Sequence, residues 1–264
     1  HSEVGSSYIH FNFTPDADKS TPSMIGDVPR GVMLNQPPIF LGGQGGIVGP
    51  VRLGFGNVVA AGSILRKDYL QDNQLILDAP SLRPVRKYIP GSYPDFGRLL
   101  ENNILYLANL RALEEWYIHV RKPFFETQEF GLMIYQGALD IISGAETERF
   151  KRFQAMLEKA ASASGCKSDV ESLKERRTVL ERMADIANIF QTTVKDDAVS
   201  RSRELFLKDF ATSGKDDQRN YIETIKKLPP DVSARGVQWL QTIVNYYCQR
   251  TATVISSAEL FKPV

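Results

Sequence analysis

From Ile47 to Leu65 the chain repeats in sixes: an aliphatic residue returns at Ile47, Leu53, Val59 and Leu65, with Gly54 and Ala60 directly after the second and third. An amphipathic helix repeats every 3.6 residues and a half-buried strand every two, so neither produces a strict six. A period of six is expected of a parallel β-helix, where each hexapeptide forms one short side of a coil and the repeated aliphatic stacks on its equivalent one coil away. Small residues between the aliphatics let the backbone turn from one side to the next. The same grammar starts earlier. Ser7 to Phe13 alternates like a strand, Thr14 to Ser23 is a polar loop, and MIGD (24–27) and FLGGQG (40–45) read as further hexads. Pro29 to Pro38 interrupts them with three prolines and is expected to leave the coil as an excursion. So few coils bury little core, and SEVGSS at the start already has the look of a coil in progress. The segment is therefore expected either to finish a longer polypeptide or to lean on neighbouring subunits.

Downstream the pattern changes. Residues 69–92, with three prolines and the basic cluster Arg83, Arg86 and Lys87, read as an extended connector. From Tyr93 on, apolar residues recur at three- and four-residue steps. Leu99, Leu100, Leu107, Leu110, Leu113, Trp116 and Val120 give a first amphipathic helix that Pro123 is expected to end. Further helices are expected over 128–143 with Gly144 as the stop, and over 147–163, 169–194, 200–211 and 217–228. A last one is expected over 232–261, after a Pro229–Pro230 stop and an Asp231 cap. The charges around Glu171, Glu175, Arg176 and Arg177 read as a solvated face. The organisation expected is thus a β-helix over 1–68, a connector over 69–92, and an all-α helical bundle over 93–264.

Composition narrows the function classes. A net charge of +1 speaks against a general affinity for nucleic acid or membrane surfaces, and no apolar run is long enough to span a bilayer. The opening residues lack a signal-peptide layout, and Cys166 and Cys248 stand far apart without metal-ligand spacing. Two isolated cysteines fit a reducing compartment, so a cytoplasmic location without a bound metal is expected. Eleven of the 19 glycines lie before residue 69, which marks the two halves as unlike.

MIGD (24–27), FLGGQGGIVGPVRLGFG (40–56) and VVAAGSILRKD (58–68), preceded by IHFNF (9–13) and a polar loop, resemble a known family. It is the acetyltransferase end of the bacterial bifunctional N-acetylglucosamine-1-phosphate uridyltransferase/glucosamine-1-phosphate acetyltransferase. The resemblance covers about the first 68 residues. It implies a left-handed parallel β-helix of hexapeptide repeats, assembled as a homotrimer, with acetyl-CoA lying between neighbouring coils. In that picture Asn12 and Phe13 stand where the family's Asn-Tyr pair meets the cofactor. Gly43 takes the place of a serine, and Ala60 or Ala61 keeps a small backbone contact. Two departures bear on the acceptor: Phe13 lacks the tyrosine hydroxyl, and the 29–38 insertion has no family counterpart.

Acetyl transfer to an amine needs a base near the nucleophile and a donor for the thioester oxyanion. Among His1, His10 and His119, His10 is the candidate base because it sits beside the cofactor strand; a packed or surface histidine is the plainer reading. His119, beside Arg121 and Lys122, reads as a partner of a helix C-terminus. Gly42, Gly43, Gly45 and Gly46 lack the following helix and Lys-Ser/Thr of a phosphate loop, so they read as corners. Lys19 reads as an ordinary loop lysine.

Two functions follow. The first is an acyltransferase of nucleotide-sugar and amino-sugar metabolism, moving acetyl from acetyl-CoA to an amino-sugar phosphate by direct attack of the amine. The second is a non-catalytic trimerisation and binding module attached to a nucleotidyltransferase domain like a UDP-N-acetylglucosamine pyrophosphorylase, outside this chain.

Overall fold

The computed structural model describes residues 21–78, 93, 95–162, 170–192, 194, 196–213 and 220–255. Helix accounts for 66% of these residues. Among the described residues there are seven strands of two residues each. This overturns the fold class expected from the period of six. No left-handed β-helix defines this chain, which is a mainly helical protein with three small parallel sheets. The physical reason is one of proportion. A hexad pattern specifies which aliphatics share a core, but fourteen strand residues bury far less than the helices that follow. The chain divides into two compact units, described in turn.

The first unit comprises His1–Gly26, Pro37–Asn103 and Arg149–Asp185. Its strands are β1 (Met24–Ile25), β2 (Phe40–Leu41), β3 (Gly46–Ile47), β4 (Arg52–Leu53), β5 (Val58–Val59), β6 (Ile64–Leu65) and β7 (Leu75–Ile76). All pairings are parallel: β1 with β4, β3 with β6, and β2 with β5 with β7. Phe40 lies opposite Val58 and Gly46 opposite Ile64, so both pairs are 18 residues apart, or three hexads. Pairing continues into the expected connector, because Tyr69 bridges Leu53 and β7 adds a third strand. Ile47, Val51, Leu53, Val59, Leu65 and Ile76 form one buried cluster. Gly42 is required by close approach: a Cβ there would stand 2.4 Å from the backbone nitrogen of Ala61.

Helices complete this unit: the start of α2 (Phe96–Trp116), the second half of α4 (Gly131–Ser162), and α5 (Val170–Glu181). Leu99, Leu100, Phe153, Leu157 and Val179 are buried. Arg176 departs from the solvated face expected for it. It is 4% exposed, donates from Nη2 to the Tyr93 carbonyl at 3.0 Å, and lies over the Phe96 ring at 5.4 Å.

The second unit comprises Asp27–Gln36, Ile104–Glu148 and Ile186–Val264. The proline-rich excursion holds a short helix, α1 (Val28–Gly31), whose first N–H groups are capped by Asp27; its Oδ1 accepts from Arg30 N at 2.9 Å. The second half of α2, α3 (Lys122–Glu126), the first half of α4, α6 (Met183–Gln191) from Ile186 on, α7 (Asp197–Ser213), α8 (Tyr221–Lys226) and α9 (Pro230–Val254) supply the rest. Trp116, Phe206 and Trp239 meet at centroid distances of 5.6–6.3 Å, and Phe190 stacks on Tyr247 at 4.7 Å. Gly236 makes room for this core, since a Cβ there would come within 2.4 Å of Met33 Cε.

Two expected breaks are absent and one expected cap is shifted. Pro123 does not end the first helix: α2 passes through a π-helical turn (Tyr117–Arg121), with Lys122 N bonding to Tyr117 O, and continues as α3. A proline inside a helix lacks a donor and crowds the carbonyl four residues back, and a π turn is a known way to accommodate such a strain. Gly144 lies inside α4, which runs unbroken for 32 residues. Asp231 sits in the first turn of α9, whose cap position is Pro229. Conversely, the helix expected over 169–194 is divided in two at Arg182, between α5 and α6.

These placements make opposite predictions for two glycines. Gly144 meets nothing within 4 Å, so Gly144→Ala is expected to stabilise the chain by about 0.5–1 kcal/mol. Gly42→Ala drives a methyl into backbone and is expected to cost about 1–3 kcal/mol. Thermal unfolding midpoints of the two variants against the parent check both signs.

Candidate functional site

Between the two-residue strands several backbone groups are taken up by side chains. Asn57, wholly buried, accepts from Gln74 N at 2.7 Å through Oδ1 and donates from Nδ2 to the Tyr69 carbonyl at 3.3 Å. Asp72 Oδ1 accepts from Phe55 N at 2.8 Å, and Ser23 Oγ accepts from Val51 N at 3.0 Å. Asp68 takes both Arg52 N (3.0 Å) and Arg52 Nε (2.8 Å). Tyr69 bonds Asp78 through its hydroxyl. These side chains are thus occupied in holding the turns between the short strands.

The sequence-derived site falls partly on this surface. His10, Asn12 and Phe13 lie outside the described residues, as do Lys19 and the basic cluster at 83–87. Gly43, Ala60 and Ala61 come together. Gly43 O accepts from Gly62 N at 2.9 Å, and Ala60 N donates to Ile76 O at 2.9 Å. Ala61 is exposed and Ala60 and Gly43 half-buried, so this corner offers bare backbone at the surface. A shallow cleft of about 470 Å³ adjoins the last strand, lined by Lys67, Tyr69, Gln71, Gln74 and Asp78.

The second unit holds a constellation that sequence spacing did not reveal. His119, on the π turn, points its Nε2 at Glu115 Oε2 (3.2 Å) and Arg203 Nη1 (3.3 Å), with the Trp239 ring edge-on at 6.1 Å. The helix continues past His119, so the helix-end role expected for it does not apply. A guanidinium only donates and a carboxylate only accepts, so a single Nε2 satisfies one of them at a time. Burial pushes the Glu115 carboxyl up. The His119 hydrogen bond and the charges of His119, Arg203 and Arg111 outweigh that and leave it below its ordinary value. Beside this group lies a largely apolar cavity of about 320 Å³, with Phe124, Leu207, Phe210 and Thr224 in its walls. Glu115 and His119 are one helical turn apart and could be paired from sequence, but Arg203 is brought in by α7 alone.

No group of three or more His, Cys, Asp or Glu side chains is placed to hold a metal ion, and no helix is long and apolar enough to cross a membrane, among the described residues. Comparison of the chain with protein-family models, with curated proteins and with solved structures finds no match.

Because the folded state lowers the Glu115 pKa, its contribution to stability is complete above the ordinary carboxylate range and is lost as pH falls through the lowered value. Glu115→Gln is therefore expected to lower the unfolding midpoint at about pH 7, and the gap from the parent to close towards about pH 3. A pH series of melts on both proteins checks this; a gap that is constant with pH contradicts it.

Proposed function

We propose that this chain is a binding and assembly part of a nucleotide-sugar or amino-sugar enzyme, acting beside a nucleotidyltransferase domain and associating with copies of itself. One observation carries the assembly. Phe40, Val58 and Leu75 lie opposite one another on β2, β5 and β7 and are 57%, 41% and 66% exposed. Strands about 4.8 Å apart make of them an apolar column roughly 10 Å long on one sheet face. An uncharged column in strict register is self-complementary, which suits a second copy of the same face better than a charged partner. The engagement of Asn57, Asp68 and Asp72 in backbone hydrogen bonds supports a scaffold role for this unit. The link to nucleotide-sugar chemistry rests on the sequence resemblance of residues 9–13, 24–27 and 40–68.

Leu75→Glu or Phe40→Asp is expected to convert the self-associated chain into monomers at micromolar concentration while the circular dichroism of the chain stays unchanged. Sedimentation velocity reads the outcome, and a parent chain that sediments as a monomer removes the assembly.

A second reading is acetyl transfer from acetyl-CoA to an amino-sugar phosphate. The bare backbone at Gly43, Ala60 and Ala61 supports it, being the kind of surface a cofactor's amide chain can approach closely. Asn12 and Phe13 would meet the cofactor and His10 would act as base. Saturating acetyl-CoA is then expected to raise the unfolding midpoint by an amount that grows with the logarithm of its concentration. His10→Ala is expected to abolish acetyl transfer and keep that shift. An unmoved midpoint excludes the second reading and leaves the first standing.

A further inference from the structure

Within the second unit, a groove of about 340 Å³ is bounded by α1 and the residues after it, the end of α2, the π turn and the start of α8. Arg121, the last residue of the π turn, stands in its wall. Its guanidinium carbon lies 3.9 Å from the centroid of the Tyr221 ring, 4.8 Å from that of Phe125 and 5.4 Å from that of Tyr117. Its Nε is buried with no hydrogen-bond partner. Rings packed around a guanidinium hold its plane and cover its faces, but they leave the Nε–H unanswered. A fixed fork of this kind matches the paired oxygens of a carboxylate or phosphate.

The other walls fit a ligand with an apolar body. Leu34, in the groove, holds a left-handed backbone (φ +59°) and is 38% exposed. A leucine in that conformation is strained, and strain kept at a cavity wall points to a use for the side chain there. Leu113 and Trp116 face the same space. The Trp116 indole N–H donates to the Tyr221 hydroxyl at 2.9 Å, which locks both rings. Asp27, the one carboxylate among the groove-lining residues, does not oppose an anion. Its Oδ2 lies 2.7 Å from Arg30 Nε, and its Oδ1 caps α1.

We propose that this groove binds a small molecule with a carboxylate or phosphate group on the edge of Arg121 and an aromatic or aliphatic body against Leu34, Leu113 and Trp116. Neither the self-association face nor the acetyl-CoA corner takes part in it.

Isothermal titration of the full chain with phenyl phosphate, benzoate and inorganic phosphate tests the site. Saturable binding of phenyl phosphate or benzoate, at least about tenfold tighter than inorganic phosphate, is expected. The order of the two aromatic probes tells a phosphate site from a carboxylate site, and either order supports the proposal. Arg121→Gln is expected to weaken the better probe about tenfold or more, and Leu34→Ser to bring it close to inorganic phosphate. Should Arg121→Gln fail to fold, hydrogen exchange on the parent replaces it: the better probe is expected to protect backbone amides of 117–121 and 221–226. No saturable binding of either aromatic probe at millimolar concentration overturns the site. So does binding undiminished in Arg121→Gln, or protection that falls elsewhere.

Discussion

Asn57 has no surface exposed to water and uses both ends of its amide on backbone, taking Gln74 N on one side and giving to the Tyr69 carbonyl on the other. That interaction answers the problem set by strands of two residues. A long strand pairs most of its own backbone groups, whereas two-residue strands recurring every six residues leave donors and acceptors in the turns between them. A buried amide left unpaired costs about as much as a lost hydrogen bond, so groups that the backbone of a neighbouring segment does not reach are met by side chains. Asn57, Asp68, Asp72 and Ser23 do this for successive corners. The consequence reaches function: Asn57, Asp68 and Asp72 are committed to backbone, and the short strands present an apolar column and a patch of bare backbone beside them.

In the second unit the governing constraint is Pro123. A ring with no N–H, placed inside a helix that tertiary packing requires to continue, is accommodated by one extra residue in the turn before it. The turn carries both His119 and Arg121. His119 is brought to Glu115 and Arg203, and Arg121 is carried into a pile of three aromatic rings. The pairs four residues apart, Glu115 with His119 and Arg121 with Tyr117 and Phe125, are neighbours on any helix, whereas Arg203 and Tyr221 come from distant elements, so the charged residues near Pro123 read in sequence as a simple helix end.

Much of the local grammar was legible from residue order. The hexads at Ile47, Leu53, Val59 and Leu65 named side chains that do share one buried cluster, and the apolar steps from Leu99 to Val120 named a helix. The breaks were less legible, because Gly and Pro weaken a helix by amounts that packing can outweigh. Gly144 is tolerated inside α4 and Pro123 inside a continuing helix, while the break at Arg182 carries no glycine or proline at all. Arg176 read as a surface charge, because nothing nearby in sequence announces a buried carbonyl such as that of Tyr93.

By itself, the sequence determined which residues are apolar, at what spacing, and hence which faces seek burial. Spacing is a property of neighbours along the chain, and burial of apolar surface follows it directly. Tertiary structure alone decided the fold class and the groupings of polar groups. Three small parallel sheets in a mainly helical protein, the meeting of Arg203 with His119, and the stacking of Tyr221 on Arg121 each join residues that are distant in sequence. Their energies depend on distance and direction in space, which no order of residues states.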